Sequence, residues 1–136
     1  MTYKNEYINN KSEYLNRFTI KTNSHVVIIN VNDAYWFEAW GNYVRLHTHS
    51  GSYVIREKIG VLETKLDPTK FIRIHRSTIV QIGKVSWVKG LFHGDYLMIL
   101  CDNTQLTLTR SYREHVLSVL LKSCYSKTPD VRPLFR

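Results

Sequence analysis

Cysteine is scarce in this chain: Cys101 and Cys124 are the only two in 136 residues. Two thiols far apart in sequence do not make the disulfide framework of a small secreted domain, so reduced thiols and a cytoplasmic setting are expected. Long apolar runs are missing too. Runs such as Val26-Val27-Ile28-Ile29 are far too short to cross a bilayer. The opening residues, Met1 to Glu6, lead into polar sequence with no apolar leader core. Neither a phosphate-binding loop nor a dinucleotide-binding glycine fingerprint occurs, and there is no internal repeat or low-complexity tract. Acid is in deficit, with 11 Asp+Glu against 19 Lys+Arg and a net charge of +8 before any His is protonated. A positive field of that size attracts polyanions and speeds encounter with them.

What is present suits one β-rich domain. The length fits a single domain, and 43% apolar residues can form a core without metals or disulfides. Residues 1–17 are polar, with Ile8 and Leu15 as their aliphatic members, and are expected to be a linker or flexible arm. From Phe18 short apolar segments alternate with turns. Val26 to Ile29 is continuous, as in a strand covered on both faces. Tyr35 to Trp40 forms a second strand, and Gly41-Asn42 interrupts it. Tyr43 to His49 alternates, with Val44, Leu46 and Thr48 on one face and Tyr43, Arg45, His47 and His49 on the other. Further strands are expected at Phe71–Ile74, Thr78–Ile82, Val85–Val88, Tyr96–Cys101 and Thr104–Thr109, the last two forming a hairpin around Asp102-Asn103.

Two helices complete the pattern. A short internal one spans Arg56–Leu66, with Ile59, Leu62 and Leu66 on one stripe and Asp67-Pro68 as its stop. A closing one begins near Ser111, where Ser111 and Glu114 have capping-box spacing. Its apolar face is Tyr112, Val116, Val119 and Leu120, and Arg113, His115 and Lys122 turn outward. The domain is expected over residues 18–122, with 123–136 as a tail. The fold class is mainly β: stacked antiparallel sheets, a β sandwich with one short internal and one C-terminal helix.

The densest chemistry lies in Phe71-Ile72-Arg73-Ile74-His75-Arg76-Ser77-Thr78-Ile79-Val80. A strand there delivers a His, an Arg and two hydroxyls to its end. Such donors on a short connection suit phosphate oxygens and base edges. Loops at one end of the sandwich would collect Asn42, His75, Arg76, Ser77 and Arg110, with Lys58 nearby.

The run Phe71-x-Arg73-x-His75-Arg76-Ser77-x-x-Val80 resembles the central signature of the LytTR DNA-binding domain family, an output module of bacterial two-component response regulators. Glu38-Ala39-Trp40-Gly41-Asn42-Tyr43-Val44, Leu62-Glu63-x-x-Leu66 and Leu106-Thr107-Leu108-Thr109-Arg110-Ser111-Tyr112 are similar to its other motifs, in the same order. The likeness extends from about Phe18 to Leu121. It implies three stacked antiparallel sheets, and DNA contact through loops that enter successive grooves on one side of the duplex. It also implies a first DNA-facing loop at Trp40, Asn42 and Tyr43, and a second at His75, Arg76 and Ser77, with Arg76 at a base-reading position. Arg110 is implied as a guanine contact and Lys58 as a phosphate contact. The chain departs from the family pattern at Gln81, Thr109 and Asn103, where Asn, Ser and Gly are usual.

Other readings compete. His47 and His49 leave the same face of a strand, which suits a metal-dependent β-fold enzyme if His75 and His93 join them. No carboxylate set completes that site, so no metal, cofactor or catalytic residue is expected. Ser77 near His75 suggests a nucleophile, yet neighbouring strand residues point in different directions. Cys101 falls mid-strand and reads as core. Trp36, Trp40 and Trp87 suit either sheet packing or, in an RNA-binding β-domain, stacking on unpaired bases. The expected partner is double-stranded DNA carrying a direct-repeat or palindromic site, bound by a pair of copies and bent by them. Control is expected from a receiver domain or sensor outside these residues, and no membrane insertion is expected.

Overall fold

The computed structural model describes residues 14–122 and 124–126, so the expected arm and tail lie mostly outside the described residues. Ten strands and two α-helices occur there, with short 3-10 turns between some of them. The strands are β1 (Arg17–Lys21), β2 (Val26–Asn30), β3 (Ala34–Trp40), β4 (Tyr43–Thr48), β5 (Gly51–Ile55), β6 (Phe71–His75), β7 (Thr78–Gln81), β8 (Val85–Gly90), β9 (Tyr96–Leu100) and β10 (Gln105–Leu108). The helices are α1 (Ile59–Lys65) and α2 (Arg110–Leu120). No helix among the described residues is long and apolar enough to cross a membrane.

A five-stranded antiparallel sheet in the order β5-β4-β3-β7-β6 forms the middle layer. The period-2 pattern of its strands gives it two apolar faces. Phe37, Val44, Leu46, Phe71 and Ile79 meet Phe18 and Ile29 of the β1-β2 ribbon, and Ile59 and Leu62 of α1, in one core. Ile72, Ile74 and Val80 meet Met98, Leu100, Leu106 and Leu108 of the β10-β9-β8 sheet, and Val116 of α2, in the other. The expected stacked antiparallel sheets are therefore found.

The three departures from the family pattern have structural roles. Gln81 donates its side-chain amide to the carbonyls of Asn32 (3.0 Å) and Ala34 (2.6 Å). Thr109 is the N-cap of α2. Asn103 stands at φ +71°, a left-handed position that Asn tolerates better than most residues.

Several local expectations are corrected. β2 is not covered on both faces: Val27 and Ile29 turn toward the first core, while Val26 and Ile28, on the opposite face of this outer ribbon, stay exposed. α1 starts at Ile59 rather than Arg56, since Lys58 is an extended N-cap at φ −79°, ψ 145°. Ser111 does not cap α2; it lies inside the first turn. Arg113 is half-buried rather than outward, and donates to the Gly94 carbonyl at 3.2 Å. Cys101 is exposed in the β9-β10 turn rather than buried. Trp40 and Trp87, read as packing residues, are both exposed.

Phe37 sits at the centre of the first core, fully buried, its ring centroid 5.7 Å from those of Phe18 and Phe71. Phe37→Ala is expected to cost about 3–5 kcal/mol in urea unfolding. A loss below about 1 kcal/mol would contradict a core built around this ring.

Candidate nucleic-acid interface

Strand register brings five connections to one edge of the molecule. β3 runs toward this edge and β4 leaves it, with Trp40 opposite Tyr43 across Gly41-Asn42. Gly41 takes φ +65° there, a turn position that glycine fills without steric cost. β5 returns beside β4 with Ile55 opposite Val44, so Arg56-Glu57-Lys58 leave the sheet at the same edge. On the other side of β3, Glu38 faces Thr78 of β7. The Ala39 amide donates to the Ser77 carbonyl at 2.8 Å, which sets the β6-β7 turn beside Gly41-Asn42. The Thr109 amide donates to the Ile74 carbonyl at 3.0 Å, so Arg110 emerges next to His75. Finally, Tyr96 faces both Leu108 and Gly90, which places Leu91–Asp95 beside Arg110.

The structure thus brings together Trp40, Asn42, Tyr43, Lys58, His75, Arg76, Ser77 and Arg110. Asn42, Lys58, Arg76 and Arg110 are exposed, and His75 and Ser77 are half-buried. Trp40 is 57% exposed and carries the Arg45 guanidinium 4.2 Å above its ring, in cation–π contact.

The β6-β7 turn is held from inside by Arg73, whose part sequence reasoning missed. Its Nε donates to the His75 carbonyl at 3.0 Å, a terminal nitrogen donates to the Arg76 carbonyl, and Nη1 meets Glu63 Oε1 at 2.6 Å. One planar fork satisfies two turn carbonyls and a helix carboxylate together, which a lysine ammonium does not reproduce. His75 Nδ1 accepts the Ser77 amide at 3.1 Å and lies 2.9 Å from Ser77 Oγ. Ser77 and His75 therefore do meet, contrary to the strand-direction expectation. Nδ1 is already an acceptor for the turn's own backbone, so the contact is a local side-chain-to-backbone staple rather than a base aimed at a nucleophile. An accepting Nδ1 leaves Nε2–H as the donor of the neutral ring.

The carboxylates near this edge are already engaged. Glu63 pairs with Arg73 and Glu57 with Lys65, each at 2.6 Å. Asp95 accepts the Arg110 amide at 2.9 Å, capping α2 from another loop in place of a local cap. Among the described residues no acidic group lies within ion-pair distance of Lys58, Arg76 or Arg110. These three cations are therefore free of ion pairs and open to an anionic partner.

His47 is not available as an open ligand. Its ring stacks on Trp36 at 4.0 Å, Nε2 meets Glu38 at 3.0 Å and Nδ1 meets Ser52 Oγ at 3.0 Å. Among the described residues no group of three or more His, Cys, Asp or Glu is placed to hold a metal.

Comparison with known proteins gives concordant results. A family model described as the LytTr DNA-binding domain matches residues 24–120. The sensory transduction protein LytT of Bacillus subtilis strain 168 is 24% identical over 104 residues, covering 76% of this chain and 43% of that protein. The transcriptional regulatory protein YpdB of Escherichia coli K12 is 31% identical over 77 residues, covering 57% and 32%. The transcriptional regulatory protein LytR of Staphylococcus aureus N315 is 34% identical over 67 residues, covering 49% and 27%. The chain thus spans less than half the length of these curated relatives. A solved structure described as the LytTr DNA-binding domain of a response regulator from Bacillus cereus shares the fold. Its TM-score is 0.71 at 19% identity, over 78% of this chain and 97% of that one.

Arg73→Lys is expected to destabilise the domain by about 2 kcal/mol, since two turn carbonyls and Glu63 lose a shared donor. Arg76→Lys, on the exposed tip of the same turn, should change stability by less than about 0.5 kcal/mol. Urea midpoints of the two variants check the contrast, and equal values would mean that Arg73 does not brace the turn.

Proposed function

The chain belongs to the LytTr DNA-binding domain family, and on that premise we propose that it reads a specific duplex DNA sequence as the DNA-binding part of a transcriptional regulator. The observation that carries this is the single edge on which Gly41-Asn42, Lys58, His75-Arg76-Ser77 and Arg110 meet, its three cations outside any ion pair. Several short loops along one edge match a duplex whose grooves recur along one side. Lys58 takes a phosphate, and Trp40 with Tyr43 supports the Asn42 loop beside it. His75 and Ser77 clamp the backbone around Arg76, and Arg76 and Arg110 read base edges.

Binding by two copies on a direct-repeat or palindromic site follows from the limited affinity and specificity of one module this small. The contact bends the duplex as loops enter from one side. Receiver or sensor control belongs to residues beyond this chain, and the setting is the cytoplasm. The 18–122 boundary is proposed as the binding unit, although Leu15 already packs against the first core and its amide donates to the Lys65 carbonyl at 2.9 Å. The role is binding rather than catalysis, because the His75–Ser77 pair and the His47 ring are both committed to local structure.

The exposed tryptophans do not favour the RNA alternative. Trp40 is on the middle sheet under Arg45, whereas Trp87 is on the β10-β9-β8 sheet, so the two form no shared stacking platform.

Selection from a random duplex library supplies the site for two measurements. Arg110→Ala should lose about 1–3 kcal/mol on the selected duplex and little on random duplex, whereas Lys58→Ala should weaken both alike and lower the salt slope by about one. Equal losses for Arg110→Ala on the two duplexes would remove its base-reading role. In competition, the selected duplex should displace single-stranded RNA of equal length from the chain; preference for the RNA would replace the DNA reading with the other.

A further inference from the structure

Three of the five connections at this edge carry sequence motifs and a fourth carries Lys58, whereas the fifth, Leu91 to Asp95, carries no residue singled out as a DNA contact. It is a tight loop, closed by the Leu91 amide donating to the Asp95 carbonyl at 2.8 Å. Its two central residues are both left-handed, His93 at φ +66° and Gly94 at φ +89°. Glycine takes that backbone freely and His more readily than most residues, and contacts to Gly94 and Asp95 hold the loop in place. Asp95 accepts the Arg110 amide at 2.9 Å, and the Gly94 carbonyl accepts from Arg113 at 3.2 Å. Gly94 is packed so closely that a Cβ there would stand 2.7 Å from Arg110 Cδ and 3.0 Å from Arg113 Nη1.

The anchored half of the loop is therefore locked onto the stem of Arg110. The other half is thrown outward, leaving Phe92 87% exposed. An isolated exposed apolar residue needs no explanation on an ordinary surface. This one differs in its setting, because it stands two residues from a left-handed glycine pinned against Arg110, on an edge that also exposes Trp40, Tyr43 and the cations Lys58, Arg76 and Arg110.

Given the DNA-binding reading above, on which this rests, we propose that Phe92 is a further DNA-contacting residue, its ring pressed against a base step next to the pair read by Arg110. Apolar rings set against base steps partly unstack them and bend the duplex, and a ring contributes contact without neutralising a phosphate. The fixed distance between Phe92 and Arg110, set through Gly94 and Asp95, makes the two contacts one rigid unit. Bulk and apolarity at position 92 thereby become part of how the site is recognised.

The test uses the full chain, the duplex it selects from a random library, and two variants of an exposed side chain. Phe92→Ala should bind the selected duplex about tenfold more weakly, with an unchanged salt slope. It should also bend the duplex less in a circular-permutation assay. Phe92→Leu, which keeps an apolar wedge, should recover most of both. Phe92→Ala matching the parent chain in affinity and bend would overturn the inference while leaving the DNA reading intact. A drop in salt slope would also overturn it, by showing that the variant had lost phosphate contacts instead. A parent chain that selects no duplex sinks the DNA reading and this inference with it.

Discussion

The register of β3 between its two neighbours is the constraint on which the edge depends. Glu38 lies opposite Arg45 on one side and Thr78 on the other, and that one alignment puts the Gly41-Asn42 turn beside the His75–Ser77 turn. A slip of one residue would carry Phe37 to the second face and set Trp36 and Glu38 against the first core in its place, because side chains alternate between faces. Burial of Phe37, Val44, Leu46 and Ile79 on one face and Val80 on the other therefore fixes the positions of groups that make no core contact themselves. Two further connections are tied to this frame by hydrogen bonds, from Thr109 to Ile74, and from Arg110 and Arg113 to Asp95 and Gly94.

Charge at the edge follows from how the acids are used. Glu57, Glu63 and Asp95 each bind a group that shapes a connection: a helix lysine, the Arg73 fork and the first amide of α2. None of the three forms an ion pair with Lys58, Arg76 or Arg110. Arg73 and Arg76 show the division of labour. Three residues apart on one turn, the first faces inward and holds carbonyls, while the second is left exposed.

Much of this was legible in the sequence, for identifiable reasons. Alternation in Tyr43–Thr48 and the apolar positions of Phe71–Val80 report burial directly, so the strands and both cores could be read. Motif residues at strand ends reported the connections, and Asn42, Arg76 and Arg110 do share an edge. What escaped depended on partners distant in sequence. The α2 cap comes from Asp95, so the local Ser111–Glu114 spacing misled. The exposure of Val26 and Ile28 depends on whether a second layer packs on that face of β2, which its own composition does not encode. Trp40 is exposed although the Arg45 guanidinium lies over its ring. The Leu91–Asp95 loop left no pattern at all, since its position derives from contacts with Arg110 and Arg113.

The central claim is that five separated connections form one continuous DNA-facing edge. Amide chemical shifts of the isotopically labelled chain, followed as the selected duplex is added, test it most directly. The expected changes cluster at residues 41–42, 57–58, 75–77, 91–95 and 109–110 and saturate together. Changes confined to β1 and β2, or to one connection with the others silent, would contradict it.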